Sequence, residues 1–359
     1  MKTTSANPKV TIYEIAQKAG VSSSTVARVL RGDSKETWKS TARRAERIRK
    51  LAKEMGYRAN WRAKAFSEKR TWTIGLLNTE EKHFFEGVHT EFVNGFNDTL
   101  SNRGYHLLLL KVESDQFADV ILGSRLDGCA MFEFLPEPAR GVLAESQLPA
   151  VLLNCDDDPT LERIIVDDVH GGYQAAQHLI ELGHRQLDFY VNVEAQAHAS
   201  IPDRQLGINA ALRDAGLPKL RSHHVSHEEM VARLADPAQR PTGLICYSHH
   251  EAIPMLSALQ TLNLCVPDEI SVLGFNDVYP CDKLSPPLTT ISYDAFRLGK
   301  VGAQLLLRQI QAPDTIDQPA NAYALKHHLT LRASTGVPRA ASDVRPIPIE
   351  STRKASKLD

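Results

Sequence analysis

The chain lacks most of the features that would declare a function outright. No apolar run reaches the length of about 18 residues that a membrane-crossing helix needs. Residues Met1 to Lys9 are polar and hold no apolar signal core, which argues against export and for a cytoplasmic location. Only five cysteines occur (Cys129, Cys155, Cys246, Cys265, Cys281), odd in number and never in a CxxC pair. That pattern excludes a disulfide frame and predicts reduced, mostly buried thiols. GxGxxG and GxxxxGK followed by Ser or Thr are both missing, and with them the usual grips on dinucleotides and triphosphates. GxSxG and HExxH are missing too, so an enzyme on this chain would lack familiar machinery, and no cofactor is expected. The histidine groups His223, His224 and His227, and His249 with His250, have no cysteine or carboxylate at ligand spacing. They read as surface histidines, and no metal is expected.

Net charge is also nearly absent, at −1 over 359 residues, but its distribution is uneven. Residues 1–70 hold 18 Lys and Arg against 6 Asp and Glu, a net of +12; the rest holds 24 against 37, a net of −13. A basic head on an acidic body points the head at nucleic acid or another anionic surface. The length predicts two or three domains at roughly 150 residues each.

The head begins VTIYEIAQKAGVSSSTVARVLRGD from Val10. Thr11 and Glu14 form a capping box that starts a helix near Ile12, and Gly20 ends it. Ser22 caps a second helix, which buries Val26, Val29 and Leu30 and stops at Gly32 and Asp33. Two short helices joined by a tight glycine turn predict a helix-turn-helix whose second helix enters the major groove. Ser23 and Ser24 then face base edges, Arg28 reaches a guanine or a phosphate, and Ser22 and Thr25 suit phosphates, with Thr11 beside them. A third helix is predicted from Thr41 to Met55, with Ala45, Ile48, Leu51, Ala52 and Met55 inward and its arginines mostly solvated.

These motifs, with EMGYRAN further on, resemble the lactose/galactose repressor family of bacterial transcription regulators, and the resemblance runs from about Val10 to Gly336. The family usually has Asn at Arg31 and Ser at Ala27, and the loop from Gly32 to Ser40 is longer here, so the base contacts differ in detail. The resemblance implies a hinge helix over 60–71 that orders only when two subunits sit on DNA. In that hinge Asn60 is the cap, Ala63 packs on its twin, and Phe66 takes the place of the minor-groove wedge. A segment of roughly eight residues is too short to be helical alone in water.

From Trp72 short apolar strands alternate with amphipathic helices, as in TWTIGLL, YHLLLLKV, LDGCAMFEF, LPAVLLN, LDFYVNV and ISVLGFND. That alternation predicts parallel sheets covered on both faces. The motifs HLIELGHRQL, VPDEISVLGFND, LSPPLTTI and LRASTG resemble the family's core, two doubly wound α/β subdomains like periplasmic sugar-binding proteins, closing on a ligand. Residue by residue, the resemblance places effector contacts at Asn154, Arg204, His249 and Asn276, while Phe85 is placed to stack on a sugar ring or to pack in the core. The family carries Asp at three of these sites; Asn154, His249 and Asn276 remove those charges while Arg204 stays, which makes an acidic or phosphorylated sugar-like effector the expectation.

The expected organisation is a helix-turn-helix domain over 1–59, the hinge over 60–71, an effector-binding and dimerising core over 72–337 and a disordered tail over 338–359. The expected function is a homodimeric, ligand-responsive repressor on a pseudo-palindromic operator. Rivals are a constitutive regulator with a degenerate pocket, a solute-binding receptor, and an enzyme on the same fold.

Overall fold

A computed structural model describes residues 10–31, 39–58, 65, 68, 70–79, 87–112, 116–195, 198–312 and 322–338. The hinge residues Asn60, Ala63 and Phe66, the candidate Phe85, and the tail beyond Pro338 lie outside the described residues. Contacts divide the chain into two units, Met1–Thr71 and Trp72–Asp359.

In the first unit, α1 (Ile12–Ala19), α2 (Ser23–Arg31) and α3 (Lys39–Glu54) pack around one small core. Ile15, Val26 and Ile48 are its most buried members, each from a different helix. Both halves of the capping box form: Thr11 N donates to Glu14 Oε2 at 2.6 Å, and Glu14 N donates to Thr11 Oγ1 at 3.4 Å. Gly20 takes φ 67°, a left-handed conformation that a side chain would oppose, and so turns the chain tightly into α2.

The second unit is built on two six-stranded sheets, ordered β11-β5-β4-β3-β1-β2 and β12-β10-β9-β8-β6-β7. The first lobe holds β1 (Thr73–Asn78), α4 (Val88–Ser101), β2 (His106–Lys111), α5 (Phe117–Leu122), β3 (Gly128–Phe132), α6 (Glu137–Ser146), β4 (Ala150–Leu153) and β5 (Glu162–Val166). The second holds α7 (Asp168–Glu181), β6 (Leu187–Asn192), α8 (Ser200–Asp214), β7 (Arg221–Val225), α9 (His227–Ala235), β8 (Gly243–Cys246), α10 (His249–Thr261), β9 (Ser271–Phe275) and β10 (Thr289–Ser292). The chain then returns to the first lobe for α11 (Ala295–Gln311) and β11 (Ala322–Leu325), and ends in the second with β12 (His328–Thr330).

Every strand pair is parallel except β10 with β12, an antiparallel edge. Each sheet is buried on both faces, which is why its central strands read as unbroken apolar runs such as AVLL and GLIC. Three crossovers join the lobes, at Asp167, at Tyr293–Asp294 and at Lys326–His327. They are tied together: Asp167 N donates to Leu325 O at 2.8 Å, and His327 Nδ1–H donates to Asp167 O at 3.0 Å.

Two differences from the sequence expectations affect the site. LDGCAMFEF was expected to run as one strand to Phe134, but β3 stops at Phe132 because Glu133 turns left-handed at φ 65°. His249 was expected at the surface in a loop. It is buried as the first residue of α10, because Ser248 and Glu251 form a capping box that starts the helix earlier.

Candidate functional site

The head presents one polar face on α2. Ser22, Ser24 and Arg28 are exposed, and Ser23 and Thr25 are half-buried. Ser22 Oγ accepts from Thr25 N at 3.2 Å and lies 2.9 Å from Ser24 Oγ and 2.8 Å from Thr25 Oγ1. These hydroxyls therefore start the helix while remaining at the surface, where backbone N–H groups and hydroxyls together can meet a phosphate. Thr11 is exposed, but its hydroxyl donates to Glu14 Oε2 at 2.9 Å, so a phosphate would compete with the cap for it. Tyr13, 76 % exposed near the start of α1, was not singled out from the sequence. Its signal was available, since Tyr13 is an aromatic two residues, and so about half a turn, away from the buried Ile15 of α1.

The core holds a cleft of about 350 Å³ between its lobes, lined among others by Asn154, Arg204, His249 and Asn276. The structure thus brings four of the five effector candidates together, the fifth being Phe85. The cleft lies at the carboxyl ends of the strands, where open parallel sheets leave room for a ligand. Asn154 follows β4 and Asn276 follows β9, at matching places in the two lobes. Asn154 N donates to Ile164 O at 2.7 Å and Asn276 N to Ile291 O at 2.8 Å, and each residue then turns left-handed at φ 52° and 69°. Asn tolerates that conformation better than most residues, because its short polar side chain can bond locally. Glu133, left-handed too, follows β3 and lines the same cleft. Three non-glycine residues in this region at one site mark strain concentrated where a ligand would be held.

Arg204 is fixed on three sides. Its Nε donates to Asp168 Oδ1 at 2.7 Å, its Nη1 donates to the Tyr247 carbonyl, and its guanidinium carbon lies 4.0 Å from the Phe275 ring centroid. The helices that carry this pair meet closely: a Cβ on Gly172 of α7 would lie 2.1 Å from Arg204 O of α8. Only glycine permits that approach. Burial drives His327, beside Asp168, down to about 4. Elsewhere in the cleft, Tyr247 Oη lies 2.9 Å from Ser200 Oγ, which lies 2.8 Å from His198 Nδ1, and His89 Nε2 lies 3.0 Å from Glu133 Oε1.

This geometry removes the ground for an anionic effector. The cleft is lined by Glu133, Asp168, Glu194 and Glu251, and the charge of Arg204 is already answered by Asp168. Counting only the three missing aspartates overlooked carboxylates that reach the cleft from helix starts and from the turns after strands. Among the described residues no group of three or more His, Cys, Asp and Glu is arranged to hold a metal. In the first histidine group His223 departs from the surface expectation: its Nε2 lies 2.9 Å from the buried Asp188 Oδ2, and Arg221 Nε donates to Asp188 Oδ1 at 2.7 Å.

Comparison with known proteins bears on both units. Residues 11–60 match the bacterial regulatory proteins of the lacI family, and residues 176–335 match a periplasmic binding protein-like domain. The chain thus joins a lacI-family DNA-binding domain to a periplasmic binding protein-like domain. It is 29 % identical over 322 residues to the HTH-type transcriptional repressor PurR of Aliivibrio fischeri (strain ATCC 700601 / ES114), covering 85 % of this chain and 93 % of that one. A solved complex of the transcriptional regulator CelR with cellobiose is 26 % identical with a TM-score of 0.64, covering 91 % of this chain and all of that one. The lac repressor dimer bound to operator superposes at a TM-score of 0.76 with 23 % identity, over 91 % of this chain and 99 % of that one, which shows the shared fold. With these two domains the chain is a DNA-binding transcriptional regulator, and its relatives are regulators and not enzymes. Among the described residues no helix is long and apolar enough to cross a membrane.

Proposed function

We propose that this regulator is a homodimeric, cytoplasmic repressor whose grip on a pseudo-palindromic operator is set by an uncharged, sugar-like effector held in the cleft. The observation that carries this reading is the cleft itself, whose hydrogen-bonding groups come from both lobes: Glu133 and Asn154 from one, Arg204, Tyr247, His249 and Asn276 from the other. Groups of that kind, alternately donating and accepting beside the aromatic rings of Phe134 and Tyr293, suit a hydroxylated ring better than a charged one. The cellobiose held by the relative CelR supports the same class. In the head, Ser22, Ser23, Ser24, Thr25 and Arg28 carry DNA contact, with Thr11 at its edge and Asn60, Ala63 and Phe66 forming the hinge. Coupling between cleft and DNA needs about 1–3 kcal/mol to give a 5- to 150-fold response.

The test is footprinting of the full chain on the DNA upstream of its own gene, with cellobiose, ribose and their acids as probes. Protection that shifts with a neutral sugar and not with its acid is the expected result. No protected site at low salt sinks the DNA reading, and protection unmoved by every probe removes the effector reading while leaving DNA binding intact.

A further inference from the structure

One side chain in the cleft does more than line it. His249 opens α10 directly after its N-cap Ser248; the residue is 6 % exposed, and its Nδ1 is buried without a hydrogen-bond partner. The ring lies against that of His250, with centroids 3.9 Å apart and the planes tilted by 38°. The other side meets the opposite lobe: a Cβ built on Gly87 would lie 3.4 Å from His249 Cε1 and 3.6 Å from Nε2. Gly87 is the N-cap of α4 and places no side-chain hydrogen bond there. The imidazole is therefore held between the amino ends of two helices, one from each lobe, and both ends carry the positive pole of the helix dipole.

The ionisable groups around it give a proton no reward. On α10, Glu251 is turned to the helix end, where its Oε2 accepts from Ser248 N at 3.0 Å and from Ser248 Oγ at 2.6 Å. His89, on α4, has its Nε2 3.0 Å from Glu133 Oε1 at the end of β3. His250 and His89 can only add positive charge. Burial first, then His250 and His89, push His249 down to about 3 from its ordinary 6.5.

We propose that His249 couples closure of the two lobes to release of a proton, so that the cleft closes only around a neutral imidazole. Opening carries Gly87 away with the first lobe and returns the ring to water, where an imidazole binds a proton near pH 6.5. Protons then act as a ligand of the open form and shift the lobes toward it. From pH 7.5 to 5.5 this single group raises the open-to-closed ratio about tenfold. The inference deepens the proposed effector cleft and shares its premise that the lobes close, but it requires no particular effector. A ligand-free measurement therefore fails separately from the sugar panel.

The experiment uses the full chain without ligand, labelled with ¹³C at histidine Cε1. The His249 signal is assigned by its loss in His249→Gln and followed through a pH titration. Small-angle scattering at pH 7.5 and 5.5 reports the separation of the lobes in both proteins. The expected result is a His249 titration at least a full unit below 6.5, with acid expansion in the wild type that is lost in the variant. Titration near 6.5, no expansion of the wild type, or equal expansion in both proteins overturns the proposal. Should the variant fold poorly, the wild-type titration and scattering still decide.

Discussion

Asp168→Ala leaves a guanidinium inside the core with its countercharge gone. The side chains of Asp168 and Arg204 are each 6 % exposed, and Nε donates to Oδ1 at 2.7 Å. Water has little access to replace the carboxylate, so the loss is far larger than the roughly 0–1 kcal/mol of an exposed pair. Removing one partner of a buried pair costs about 3–5 kcal/mol. Some of the guanidinium's support survives, since the Phe275 ring centroid lies 4.0 Å away and the Tyr247 centroid 4.9 Å. Such ring contacts are worth about 0.5–2 kcal/mol, which places the expected loss near 3 kcal/mol. At about 2–4 °C per kcal/mol for a domain of this size, the Tm of the core should fall by roughly 6–12 °C. The assay is thermal unfolding at pH 7.5 of Asp168→Ala, Arg204→Met and the double variant. The double variant carries no orphaned charge and should be less destabilised than the sum by about 2 kcal/mol. A single-variant loss under about 1 kcal/mol, or additivity within about 0.5 kcal/mol, would refute the claim that this pair is desolvated.

Gly172→Ala should cost about 1–3 kcal/mol, because the new Cβ meets Arg204 O at 2.1 Å and α8 must move. Gly141→Ala on the exposed face of α6, with nothing within 4 Å, should instead stabilise by about 0.5–1 kcal/mol in the same melts. Acid should weaken the core through His327, whose folded value of about 4 lies below its ordinary 6.5. The unfolded chain binds that proton more tightly, so the stability is complete above about pH 6.5 and is lost as pH falls toward 4, by about 2 kcal/mol at pH 5. His327→Gln should flatten the urea-denaturation profile across that window, and an unchanged slope would exclude His327 as its source. Thr11→Ala should lower the stability of the head by about 1 kcal/mol in urea melts, since it removes the hydroxyl that accepts from Glu14 N and leaves only the backbone half of the capping box. Arg28→Ala should weaken DNA binding by about 1–3 kcal/mol in gel shifts at fixed salt, and equal binding would remove Arg28 from the interface.

The head was legible almost to the residue because its signals are local. Thr11 with Glu14, Gly20, and Ser22 before an apolar stripe each act within one turn, and the observed helices begin and end within two residues of the expected positions. In the core the central strands were legible as apolar runs, whereas β7 was not. Its residues RSHHV form a polar edge strand that pairs on one side, so neither alternation nor an apolar run betrays it. Some local signals were present and unused. Ser226 with Glu229 starts α9, and Ser248 with Glu251 starts α10, both as capping boxes. Reading the second would have placed His249 on a helix.

Sequence alone determined the helix-turn-helix, the alternation that yields two parallel sheets, the division of charge between head and body, and the family resemblance. Each of these depends on neighbours a few residues apart or on simple sums along the chain. Tertiary structure alone decided the chemistry of the cleft. It brought Glu133 in through a left-handed turn, set Asp168 against Arg204 across 36 residues, and closed Gly87 of one lobe on His249 of the other. Those contacts depend on how strands and helices distant in sequence come to rest beside each other. Burial then changes what each group does: the same arginine that promised an anion site became half of an internal ion pair, and a histidine expected in water lost access to its proton.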